Sequence, residues 1–143
     1  MGITDPKTDG KVVMCLDPVT LAAAATTDCA SIDTLGFRWA TFVIQLGTDG
    51  GTMTAASAKI TQDTATGGAF ATDVTGATFN AITMLAADCI VIGRVDLLKT
   101  YQFLRAEITL AGTVTGTPAS AMVILTGPED STLYQTATYD FAV

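Results

Sequence analysis

The polar groups of this 143-residue chain that could do chemistry are fourteen carboxylates and three thiols; histidine is absent. Without imidazole the chain lacks the commonest general base, every His-dependent triad and any His-based metal ligand. A pair of carboxylates could still act as acid and base. Asp17, Asp49, Asp63, Asp73 and Asp130 instead fall where Gly, Thr and Pro signal turns, and turn aspartates bond nearby backbone N–H groups. Calcium needs several oxygens converging on one point. Asp49 and Asp63 lie in separate Gly-rich turns, and nothing in their spacing requires them to meet. Residues 47–51 lack the lysine and the following helix of a phosphate loop. Cys15, Cys29 and Cys89 match no zinc-binding spacing. They read as small buried apolar residues in a chain that matures in a reducing compartment, and any bridge would leave one thiol over. Neither enzymatic activity nor a metal or other cofactor is expected.

Charged residues make up 15% of the chain and apolar ones 49%. An average soluble domain carries about 25% charged residues. A neutral surface of Ala, Thr and Gly suits a subunit covered by neighbours, although a stable secreted β-domain would share the composition. The formal net charge of −7 argues against nucleic acid and against an anionic membrane as partners. Lys7 and Lys11 are close together, but Asp5 and Asp9 accompany them. Residues 1–10 contain no apolar run, so no leader is expected. Residues 81–95 are interrupted by Asp88 and Arg94 and are too short to span a bilayer.

The elements that would position these groups read as strands. Threonine, glycine and β-branched residues dominate, which favours pleated structure over helix. Residues 11–16 (KVVMCL) form a strand candidate, with Asp17-Pro18 as a turn. Residues 21–25 read as extended, with at most a helical turn. The clearest strand is residues 37–46 (FRWATFVIQL), with Phe42, Ile44 and Leu46 on one face and Phe37, Trp39 and Val43 on the other. A strand apolar on both faces is usually covered twice. The second cover here is either the N-terminal arm or another subunit. Residues 56–62 alternate, Ala58 and Ile60 inward, Lys59 and Thr61 outward. Residues 69–74 form a short strand, and Gly76 begins a turn. Residues 89–97 form a strand whose Gly93 marks a bulge or a close approach. Residues 102–110 alternate with Leu104, Ala106, Ile108 and Leu110 inward and Phe103, Arg105, Glu107 and Thr109 outward. Residues 111–118 read as a loop, 119–125 as a last core strand. Seven or eight strands between turns argue for an all-β fold, an antiparallel two-sheet sandwich or jelly roll. The expected division is an extended N-terminal arm (1–30), the sandwich (31–127) and a C-terminal tail (128–143) that packs on the domain or on a neighbour.

The run Ile32-Asp33-Thr34-Leu35-Gly36-Phe37, the strand at 40–47, AKITQD at 58–63, AFATDVTGA at 69–77 and the segment 93–112 occur in an order that resembles small structural proteins of tailed bacteriophage heads. Those are β-sandwich or jelly-roll proteins of the capsid decoration (cement) or head-fibre type. Asp73-Val74-Thr75-Gly76, Asp96, Tyr101 and Phe103-Leu104-Arg105 match that family's pattern. Gln62-Asp63 departs from its acidic cluster, and Leu97-Leu98-Lys99 from its basic one.

The resemblance implies a virion structural protein on the capsid surface, made in the host cytoplasm. Its partners would be the major capsid protein and copies of itself, in a homo-oligomer. Candidate interface residues are Phe37, Trp39, Phe103, Arg105, Tyr134, Tyr139 and Phe141, because aromatics and arginine dominate such contacts. Trp39 fits ordinary core packing as well, and Arg105 with Glu107 fits an ion pair within the chain. A carbohydrate- or receptor-binding module is the alternative, as is a neck or tail component. One Trp and three Tyr are a thin supply for sugar stacking.

Overall fold

In the strand Phe37–Leu46 every second residue from Ala40 is buried: Ala40, Phe42, Ile44 and Leu46. That period of two requires a sheet with a covered face. The computed structural model describes residues 10–82 and 88–128, and among them it is an all-β sandwich. The strands are β1 (Gly10–Leu21), β2 (Thr26–Asp28), β3 (Ile32–Asp33), β4 (Phe37–Leu46), β5 (Thr52–Asp63), β6 (Thr72–Ile82), β7 (Cys89–Asp96), β8 (Phe103–Thr113) and β9 (Thr117–Pro128). Leu97–Lys99 form one 3-10 turn, in which the Leu98 N–H donates to the side chain of the N-cap Asp96.

One sheet has the order β1-β9-β4-β7 and the other β2-β8-β5-β6, with β3 pairing on β8. All pairs are antiparallel. Four of them nest along the sequence: β5 with β6, β4 with β7, β2 with β8 and β1 with β9. Such a nested ribbon, folded over so that successive strand pairs lie in opposite sheets, is the jelly-roll arrangement. Phe42, Ile44, Val123 and Leu125 of the four-stranded sheet meet Ile60, Leu104, Ala106 and Ile108 of the other in a dry core. Gly93 of β7 faces the Phe79 ring of β6 across the two sheets. A Cβ there would stand 2.6 Å from the Phe79 ring, so the glycine marks a close approach and leaves the β4–β7 register unbroken.

Several local expectations give way to longer strands. Asp17-Pro18 lies inside β1, at a register shift between Leu16 and Val19. Proline is tolerated there because β1 is an edge strand bonded on one side only. Residues 10–28, grouped with the arm from sequence, supply β1 and β2, so they extend the sheets instead of covering the outside of β4. Gly76 begins no turn. It sits within β6 at φ +79°, in a bulge opposite Ile60. Residues 69–71 are irregular, and β6 starts at Thr72. Thr113 and Thr117 belong to strands, which shortens the expected 111–118 loop to a tight connection.

Candidate functional site

Asp49 and Asp63 are occupied locally. Partial desolvation pushes Asp49 upward, but N–H groups of Thr115, Gly116 and Gly51 outweigh it and hold the carboxyl below its ordinary range. Backbone N–H groups of Ala65 and Phe70 do the same for Asp63. Among the described residues no cluster of three or more acidic or sulfur ligands could hold a metal ion.

The outer face of the β2-β8-β5-β6 sheet carries the charge. Arg105 Nη2 meets Glu107 Oε1 at 2.6 Å, and Arg105 Nη1 lies 3.4 Å from Asp28. Lys59 bridges Glu107 at 3.6 Å and Asp73 at 2.8 Å. The Asp73 hydrogen bond, helped by both negative charges, raises the Lys59 ammonium above its usual pKa. Thr61 Oγ1 donates to Glu107. The loop after β5 folds back so that the Phe70 ring lies 4.7 Å from the Arg105 guanidinium. Phe70 holds a left-handed φ of +50°, fixed by the bond from its N–H to Asp63. The charged groups of this face pair with one another within the chain, while Arg105 Nε is buried with no hydrogen-bond partner among the described residues.

The outer face of the β1-β9-β4-β7 sheet is different. The odd residues of β4 point outward, and the register sets their neighbours in rows. One row crosses all four strands as Met14, Met122, Val43 and Ile92. The next runs Val12, Ile124, Thr41 and Arg94, and a third joins Ser120, Gln45 and Ile90. Ile92 is 66% exposed, Val12 65%, Ile90 59% and Met14 42%. Singly exposed apolar side chains are ordinary, but a contiguous band of them marks an interaction surface. At one end the half-buried Trp39 ring lies between two guanidinium groups, with Arg94 at 4.5 Å and Arg38 at 5.1 Å. Arg38 in turn donates from Nη2 to Asp96 Oδ2 at 3.2 Å, with its Nε in ion-pair range of Asp96 Oδ1 at 3.2 Å. At the other end a cleft of about 800 Å³ opens between β1, β4, β7 and β9, lined by Val19, Gln45, Ile90 and Pro118 among others. Among the described residues no aromatic side chain lines it.

No protein-family model matches the chain, and no curated protein matches it. Solved structures do. A structure of infectious bursal disease virus, Gx strain, superposes with a TM-score of 0.59 at 15% identity, covering 85% of this chain and 32% of that one. The VP2 subviral particle of the same virus gives 0.55 at 16%, covering 83% and 32%. The likeness is one of fold. This chain spans about a third of those viral chains. The dimeric latent PorU of Porphyromonas gingivalis also matches, with a TM-score of 0.50 at 7% identity, covering 82% of this chain and 12% of that one.

Of the residues singled out from sequence, Trp39 lies at the edge of the apolar band. Phe37, at the first residue of β4, is half-buried and packs against the core cluster. Phe103 is half-buried at the start of β8, on the charged sheet, and Arg105 is engaged as described. Tyr134, Tyr139 and Phe141 lie outside the described residues. The aliphatic band itself was not singled out. Its signal was present: Val12 and Met14 alternate with Val13 and Cys15, and Ile90 and Ile92 with Cys89 and Val91. Both strands are apolar on two faces.

Proposed function

We propose that the chain is a virion structural protein, a capsid decoration (cement) subunit seated on the capsid surface. The observation that carries this reading is the contrast between the two sheet faces. One pairs its charged groups within the chain; the other presents Val12, Met14, Ile90 and Ile92 in a band that no described residue covers. The jelly-roll fold shared with virus structures supports the reading by analogy. Each copy would bury the band against the major capsid protein and against copies of itself. A modest apolar contact repeated over a shell gives large collective stabilisation. In this reading the tail, residues 128–143, adds Tyr134, Tyr139 and Phe141 to those contacts. The test is co-sedimentation of the purified chain with shells assembled without it. Saturable binding to shells, with no retention on a glycan array, is expected. Glycan binding without shell binding would replace this reading with that of a carbohydrate-binding module.

A further inference from the structure

Cys15 sits on edge strand β1 of one sheet, at the register shift between Met14 and Leu16. Cys29 follows β2 at the edge of the other sheet, its N–H bonded to the Ala106 carbonyl of β8 at 2.9 Å. The Ala30 N–H donates to the Cys15 carbonyl at 2.7 Å and brings the two backbones together. Both side chains are buried in the same core cluster, where each thiol shifts the ionisation of the other. Both cysteines are reduced in this structure. We propose that Cys15 and Cys29 are a disulfide-forming pair whose oxidation staples the β1 edge of one sheet to the β2 edge of the other.

The pair is asymmetric. The Cys29 thiol favours a thiolate on Cys15, whose pKa is lowered; Cys29 is raised by Cys15 and by burial. The direction of the two shifts favours Cys15 as the attacking sulfur. With a low-molecular-weight disulfide as oxidant, the Cys15 thiolate attacks one of its sulfurs and expels the first small thiolate. Cys29 then loses its proton, attacks the Cys15 sulfur of the mixed disulfide and expels the second. Two protein thiols lose two electrons and two protons. The oxidant takes both electrons and ends as two small thiols carrying the protons. Access comes through local opening of β1, an edge strand with an irregular ladder. The bond closes a loop of about 15 residues, which by the chain-entropy account shifts the folding equilibrium on the order of 100-fold.

The test uses the whole wild-type chain, both folded and during refolding, with oxidised glutathione. Free thiols are alkylated after unfolding, and peptides are mapped. The expected product is monomeric, lighter by about 2 Da before alkylation, and linked Cys15 to Cys29, with Cys89 taking the alkyl group afterwards. Its Tm is raised by roughly 10 °C, and dithiothreitol reverses the shift. Cys29→Ala shows no oxidant-dependent shift, whereas Cys89→Ser keeps it. Alkylation of both Cys15 and Cys29 after oxidation by either route would overturn the proposal. So would a bond to Cys89, or an oxidised form no more stable than the reduced one. None of these readouts depends on binding to a shell.

Discussion

Replacing Ile90 and Ile92 together by threonine strips the band of its two residues on β7. Threonine is β-branched, so the strand keeps side chains that suit it. Both isoleucines stand on the outer face of an edge strand, 59% and 66% exposed, so the isolated fold gains little from them. Fully burying an isoleucine is worth about 1.5–3 kcal/mol, and the exposed share puts the gain on docking at ~1–2 kcal/mol each. The double variant should therefore bind shells more weakly by ~2–4 kcal/mol per contact, on the order of 30- to 1000-fold. Co-sedimentation across a concentration series measures this directly. The thermal transition of the isolated chain should move little, which separates lost contact from lost fold. Leu98→Thr, an exposed leucine on the 3-10 turn outside the band, serves as control and should bind as wild type does. A folded double variant that binds shells at full strength, or a Leu98 variant that loses as much, would refute the assignment of this face.

Three further outcomes follow from the packing. Gly93→Ala drives a methyl into the Phe79 ring 2.6 Å away, so stability should fall by about 1–3 kcal/mol in urea unfolding; an unchanged midpoint contradicts the close approach. Glu107→Gln removes the mostly covered charge between Arg105 and Lys59 and leaves Arg105 with Asp28 at 3.4 Å, at a cost of about 1–3 kcal/mol in the same assay. Asp33, Asp49 and Asp63 all ionise below their ordinary 3.8 in the folded chain, so the unfolded chain binds more protons in acid. Their stabilisation is complete above the unfolded value and lost as pH falls through the folded ones, so the urea midpoint should drop below about pH 4. Asp49→Asn with Asp63→Asn should flatten that drop, and an equally steep fall in the double variant contradicts the capping roles.

The strands that face a dry core were legible because burial imposes a period of two. Phe42, Ile44 and Leu46 in β4, and Leu104, Ala106 and Ile108 in β8, alternate with outward residues in the sequence as they do in the fold. The strand ends were less legible. Gly76 and the Thr-rich run around residue 115 carry turn composition, yet the ladder continues through the bulge in β6 and through Thr113 and Thr117. Cross-strand bonds to a neighbour decide those cases, and a single segment does not encode its neighbour. The interaction face was half legible. Val43 and Trp39 showed that β4 has two apolar faces, and the arm was one candidate to cover the second. The structure puts residues 10–21 beside β9 in the same sheet, and only the register then joins Met14, Met122, Val43 and Ile92 into a row. Phe37 packs against the core cluster and Phe103 is half-buried on the other sheet, apart from the aliphatic residues of the edge strands.

Hydroxyl-radical footprinting of the chain, free and bound to shells, tests the central claim most directly. Met14, Ile90 and Ile92 should be oxidised readily in the free chain and shielded on the shell, while Tyr101, exposed outside the band, reacts alike in both. Equal labelling of Met14, Ile90 and Ile92 in the two states, with shielding elsewhere, would contradict the claim that this face is the one that docks.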